Sequence, residues 1–192
     1  EPVQVFKKPV AGHPIIAPAE SDEFNSDRIG LQWQWQANLQ VTWYSLIKDR
    51  GFLRLFTVKK KEADNNLWNI PALLLQKFPA PSFKASTKIK LVPEEAESGK
   101  SAGLMVFGLD YATLTLTHDT EGYVLKQTQA IQAKKNLPEE TNEETRVKTN
   151  EVYLQVEVTG PDAMCQFSYS TNGKKYTKIG KPFKAQPGQW VG

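Results

Sequence analysis

Few residues in this sequence could do chemistry: two histidines, one cysteine, three adjacent pairs of glutamates, and an alternation of tryptophan with glutamine. Nucleophilic hydrolysis needs a serine or cysteine with a base held beside it. His13 lies in a proline-rich stretch, and His118 stands at the end of an alternating segment next to Asp119. Neither falls in a triad motif, and His118 is expected beside a turn. Glycoside hydrolysis needs two carboxyl groups about 5–10 Å apart across the scissile bond. The pairs Glu94-Glu95, Glu139-Glu140 and Glu143-Glu144 fall in polar, loop-like surroundings, where solvated acids without a catalytic role are expected. Cys/His metal spacings and glycine-rich phosphate loops are absent. Cys165 has no partner for an internal disulfide and lies in the apolar run Met164-Cys165-Gln166-Phe167, as a buried thiol would.

The most distinctive pattern is Leu31-Gln32-Trp33-Gln34-Trp35-Gln36-Ala37-Asn38. If this segment is extended, Trp33 and Trp35 share one face, while Gln32, Gln34 and Gln36 share the other. Two readings stand. Indole faces stack on sugar rings while amides such as Gln34 and Asn38 pair with hydroxyl groups; alternatively, the two indoles fill a core and the glutamines face water. Trp68 follows Asn65-Asn66-Leu67 in a loop, where a large aromatic is expected to be exposed and available to a ligand or a neighbouring domain. Trp190, close to the last residue, is expected to open a further strand. The candidate carbohydrate-binding or domain-interface residues are therefore Gln32, Trp33, Gln34, Trp35, Asn38, Trp68 and Trp190.

These side chains must be positioned by short strands. With 40% hydrophobic content, 192 residues suffice for one sizeable core. Segments rich in β-branched and aromatic residues predict strands over 52–58, 72–78, 83–92, 101–107, 112–117, 123–129, 151–159, 165–170 and 175–179. In Thr113-Leu114-Thr115-Leu116-Thr117 the leucines face one way, and Val152, Leu154, Val156 and Val158 likewise share a face. The connections Asp119 to Gly122, Gly160 to Ala163 and Thr171 to Lys174 carry hairpin turn chemistry, so the sheets should be antiparallel. The Lys-, Glu-, Asn- and Thr-dense stretch 134–148 is expected to be a long exposed loop. Residues 1–21, with Pro2, Pro9, Pro14 and Pro18, are expected to form an extended tether ahead of an all-β module over 22–192. The net charge of +3 arises from 24 basic and 21 acidic residues mixed along the chain, so no face for nucleic acid or anionic membrane is expected. The run Lys59-Lys60-Lys61 is read as a solvated strand end. No stretch approaches the roughly 20 apolar residues of a membrane span, and no signal-like segment opens the chain.

Taken in order, Ser21-Asp22-Glu23-Phe24, Leu31-Gln32-Trp33-Gln34-Trp35, Gly51-Phe52-Leu53-Arg54-Leu55, Leu74-Leu75-Gln76-Lys77, Ser101-Ala102-Gly103-Leu104, Asp110-Tyr111-Ala112 and Cys165-Gln166-Phe167-Ser168-Tyr169-Ser170 resemble the C-terminal concanavalin A-like module of family-43 glycoside hydrolases. That is the β-xylosidase and α-L-arabinofuranosidase group, and the resemblance spans about 22–192. It implies a two-sheet antiparallel β-sandwich of jelly-roll type, packed against an upstream β-propeller catalytic domain that carries the catalytic acids. This chain alone is then not expected to hydrolyse a glycoside; its role would be to stabilise the propeller or shape its active site. The alternative is an independent, lectin-like module that binds xylan- or arabinan-derived oligosaccharides through Trp33, Trp35 or Trp68. No catalytic cofactor is implied, but such sandwiches often carry a structural Ca²⁺, for which Asp22 and Glu23 would be ligands. The resemblance further implies a bacterial protein, periplasmic or secreted. The family pattern also continues beyond Trp190-Val191-Gly192 into a final apolar strand, whose loss would expose a ladder edge.

Overall fold

In most of the long strands, period-two alternation puts every second side chain on one face, and that row is largely apolar. The computed structural model describes residues 7, 10–12, 14, 17, 19–47, 51–93 and 98–188. His13, Glu94, Glu95, Trp190 and most of the 1–18 segment lie outside the described residues. Thirteen strands form among those described. In chain order they are β1 (Gln34–Trp35), β2 (Tyr44–Ser45), β3 (Arg54–Leu55), β4 (Leu74–Leu75), β5 (Phe83–Lys90), β6 (Ser101–Phe107) and β7 (Tyr111–Asp119), followed by β8 (Gly122–Ala130), β9 (Glu140–Val147), β10 (Glu151–Thr159), β11 (Met164–Ser170), β12 (Thr177–Lys178) and β13 (Phe183–Lys184). Helical structure among the described residues is limited to two 3₁₀ turns, Val41–Trp43 and Ala133–Lys135.

Two antiparallel sheets carry the fold. One has the order β12-β11-β10-β5, with β13 also on β11, and the other is the meander β6-β7-β8-β9. The inward rows meet in a common core: Ala112, Leu114, Leu116 and Leu125 from the meander face Val152, Leu154, Val156, Val158 and Phe167 from the other sheet. Each of these side chains is essentially inaccessible to water, and such burial is worth about 1.5–3 kcal/mol per large apolar side chain. The all-β, two-sheet antiparallel architecture expected from the sequence is thus observed. The outward row of β5 and β10 is charged, and Lys84–Glu157 (3.2 Å) and Lys88–Glu151 (2.7 Å) pair across the two strands.

The stretch 134–148 is not the loop its composition predicts, because residues 140–147 form β9 on the edge of the meander. The ladder with β8 steps from Gln127 opposite Glu143 to Thr128 opposite Thr141, which leaves Asn142 as the extra residue of a β-bulge. The bulge turns Asn142 inward, where its Nδ2 donates to the buried Gln127 Oε1 at 2.9 Å. The half-buried positions become 142, 145 and 147, so period two is broken and charge dominates what remains. Segments 52–58, 72–78 and 175–179 pair over only two residues each, because only Arg54–Leu55, Leu74–Leu75 and Thr177–Lys178 lie opposite a partner strand.

Cys165 is buried in the core, and its Sγ donates to the Ala163 carbonyl at 3.3 Å. Burial pushes its thiol up to about 11, so the reactive thiolate is scarce at neutral pH. Alkylation by iodoacetamide at pH 7.5 is therefore expected to follow global unfolding, at least a hundredfold slower than for free cysteine. Rapid labelling of the folded chain would contradict this placement.

Candidate functional site

The tryptophan–glutamine segment is organised by one carboxylate. Asp22 Oδ1 accepts the backbone N–H of Phe24 at 2.8 Å, and its Oδ2 accepts the indole Nε1–H of Trp33 at 3.0 Å. The first bond closes an Asx turn that holds Phe24 at φ 53°, a left-handed conformation that a bulky residue adopts only when pinned. The Phe24 ring then stacks on Trp33, with centroids 5.8 Å apart.

β1 pairs with β4, setting Gln34 opposite Leu75 and Trp35 opposite Leu74, and Gln36 N–H extends the ladder to the Leu73 carbonyl. Trp35 lies 5.5 Å from the buried Trp43 and 5.6 Å from Tyr44. Trp33 and Trp35 are both half-buried with aromatic companions, while Gln34 and Asn38 face solvent and Gln32 is half-buried against Gly30.

Trp68 sits apart from this group. Expected to be exposed, it is half-buried and stacked on Phe107 at 5.3 Å, and Phe107 in turn stacks on Tyr111. Its loop is tied down by Asn66, which is fully buried: Nδ2 donates to the Ala133 and Leu137 carbonyls, and Oδ1 accepts the Trp68 N–H, all at 2.8 Å. The Tyr111 hydroxyl accepts the Leu67 N–H and donates to Glu139 Oε1. Burial raises the Tyr111 phenol far above its ordinary range, so it remains a donor at any physiological pH. A second small core therefore covers part of the outward face of the meander, made of Tyr111, Ala130 and Ala133 with Leu67, Trp68, Met105 and Phe107 against them.

The four acids of the two described glutamate pairs are occupied as structural acceptors. Beyond Glu139, Glu140 accepts from Gln129 Nε2, Glu143 accepts the Gly180 N–H, and Glu144 pairs with Lys126. A Ca²⁺ shell needs roughly six to eight oxygens. Both oxygens of Asp22 are already engaged, Glu23 is exposed, and no group of three or more His, Cys, Asp or Glu among the described residues could hold a metal ion.

Sequence reasoning passed over the exposed apolar side chains that flank these aromatics. β2 and β3 form a two-stranded ribbon that also carries the bond from Phe56 N–H to the Trp43 carbonyl. On and beside it, Val41 is 84% exposed, Ile47 87%, Phe52 56%, and Leu55 and Phe56 50% each. A soluble surface seldom leaves so many large apolar groups together without a use for them. The signal was present in Phe52-Leu53-Arg54-Leu55-Phe56, whose apolar residues do not alternate and so suit a segment covered on both sides.

Comparison with known proteins gives a consistent picture. The family model described as the β-xylosidase C-terminal concanavalin A-like domain matches residues 21–192. A β-xylosidase of Formosa agariphila is 26% identical over 214 residues, covering all of this chain and 34% of that protein. The fold matches that of the GH43 protein BlXynB from Bacillus licheniformis with a TM-score of 0.72 at 22% identity, over 90% of this chain and 32% of that one. It also matches a bifunctional GH43-CE protein of Bacteroides eggerthii, with a TM-score of 0.70 at 22% identity, over 86% of this chain and 22% of that one. The chain thus spans about a third of the length of the curated relatives it matches.

Proposed function

Because this chain belongs to the family of β-xylosidase C-terminal concanavalin A-like domains, we propose that it is a non-catalytic accessory module of a plant-polysaccharide-degrading glycoside hydrolase. It packs on a β-propeller catalytic domain of the same polypeptide and stabilises or shapes the active site there. The observation that carries this reading is the apolar ribbon: Val41, Ile47, Phe52, Leu55 and Phe56 stand in water in this chain, next to the aromatic group of Trp35, Trp43 and Tyr44. The relatives have about twice as much chain again in which to supply a cover. Substrates of the whole enzyme would be xylan- or arabinan-derived oligosaccharides, handled in the periplasm or outside the cell. Stacking of Trp33 on Phe24, of Trp35 against Trp43 and Tyr44, and of Trp68 on Phe107 weighs against free sugar platforms and in favour of docking.

Phe56→Asp tests the reading in the longer polypeptide. Burying a phenylalanine is worth about 1.5–3 kcal/mol, so loss of the interface is expected to lower the melting midpoint by about 3–10 °C. The same substitution in the 192-residue chain should leave melting unchanged, since the ring is half in water there. Equal melting of wild-type and variant long polypeptides, with equal kcat/KM on aryl xylosides, would remove the docking role.

A further inference from the structure

An open cleft of about 400 Å³ lies where the end of β9 meets the connection between β11 and β12. Its lining includes Arg146, Lys148, Tyr169, Asn172, Lys175 and Thr177, and no aspartate or glutamate. Arg146 is already committed: Nη1 bonds Asp119 Oδ1 at 2.7 Å and Nη2 bonds Glu121 Oε2 at 2.9 Å. Lys148 and Lys175 have no acidic partner among the described residues, so the cleft carries a net positive charge that its own walls do not offset.

The β11–β12 connection is built to hold its shape. Asn172 Oδ1 accepts the N–H groups of Lys174 and Lys175 at 2.9 and 3.1 Å, and the Ser170 hydroxyl accepts the Gly173 N–H at 3.0 Å. Gly173 sits at φ 71°, in the left-handed region that favours glycine, and the Tyr153 ring would come within 3.0 Å of a Cβ there. The backbone that presents Lys175 is therefore preorganised, which lowers the ordering cost of binding.

We propose that this cleft is a binding site for a carboxylated sugar, a hexuronate, either free or as a side group of a polysaccharide. Two ammonium groups meet the carboxylate as charge-assisted donors. Hydroxyl and amide groups at Thr171, Asn172 and Thr177 serve the ring hydroxyls, and Tyr169 offers an aromatic wall. The volume falls in the range of small-ligand sites and admits one pyranose ring. The choice of a sugar acid over a simple anion rests on the reading that this chain serves a polysaccharide-degrading enzyme.

The test is a titration of the 192-residue chain, followed by backbone amide NMR, with sodium glucuronate, glucose, the methyl ester of glucuronate and inorganic phosphate. Saturable shifts with glucuronate are expected around residues 146–148 and 171–177, with glucose, the ester and phosphate at least tenfold weaker. The double variant Lys148→Gln/Lys175→Gln should weaken glucuronate at least tenfold while its far-UV circular dichroism and melting stay unchanged. Absence of saturable shifts, equal binding of glucose, equal binding of phosphate, or undiminished binding by the folded double variant would each overturn the proposal. The docking role is read from melting of the longer polypeptide, so either idea can fail without the other.

Discussion

Phe167→Ala is expected to destabilise the chain by about 3–5 kcal/mol, out of a total of about 5–15 kcal/mol for a domain of this kind. Phe167 is wholly buried at the middle of β11, in register with Val156 of β10, and its carbonyl accepts the N–H of Ile179. It reaches from one sheet into the leucine row of the other, so truncation leaves a void bordered by strands whose backbone ladders prevent collapse. Urea unfolding followed by circular dichroism measures the loss, with Thr159→Ala at the exposed end of β10 as the reference. A cost under about 1 kcal/mol would mean that the two sheets do not meet through this residue.

Asn66→Ala should be the most costly polar substitution, at about 2–3 kcal/mol. The side chain is 1% exposed and makes three hydrogen bonds, so its removal strands two carbonyls and one N–H away from water. Neighbouring Asn65 also bonds across to Asn136, but it is exposed and water can replace its partners. The variant should further loosen the loop that lays Trp68 on Phe107, giving a red shift in tryptophan emission before global unfolding. A variant with wild-type stability and emission would show that the loop is held by the stacked rings alone.

The main sandwich was legible because its strands obey the alternation rule. β6 and β10 match the predicted segments residue for residue, and β7, β8 and β11 differ by one or two residues at their ends. β9 was not legible, since its bulge shifts the inward residues out of period and its outward face is charged for solvation. The aromatic site was half legible. Trp33 and Trp35 could be marked by type and spacing, but the bond from the Trp33 indole to Asp22 joins residues eleven apart through a turn that no local pattern announces. Trp68 was placed in its loop correctly and its exposure was not, because burial there depends on Tyr111, 43 positions further along. The cationic cleft was invisible for the same reason: residues 146–148 and 169–177 become neighbours only when the edges of two sheets are brought together.

The order of the strands also governs how the chain can assemble. β5 leaves the ribosome before the whole β6-β7-β8-β9 meander, yet its partner in the sheet is β10, with Phe83 set opposite Val158. The meander closes through successive neighbours and can form at once, whereas β5 must wait for some seventy further residues before its ladder exists. During that interval it is an unpaired strand with apolar residues on one side. Lys84, Lys88 and Lys90 put charge on its other face, which disfavours edge-to-edge pairing of such strands, and in the finished sheet two of them pair with Glu157 and Glu151.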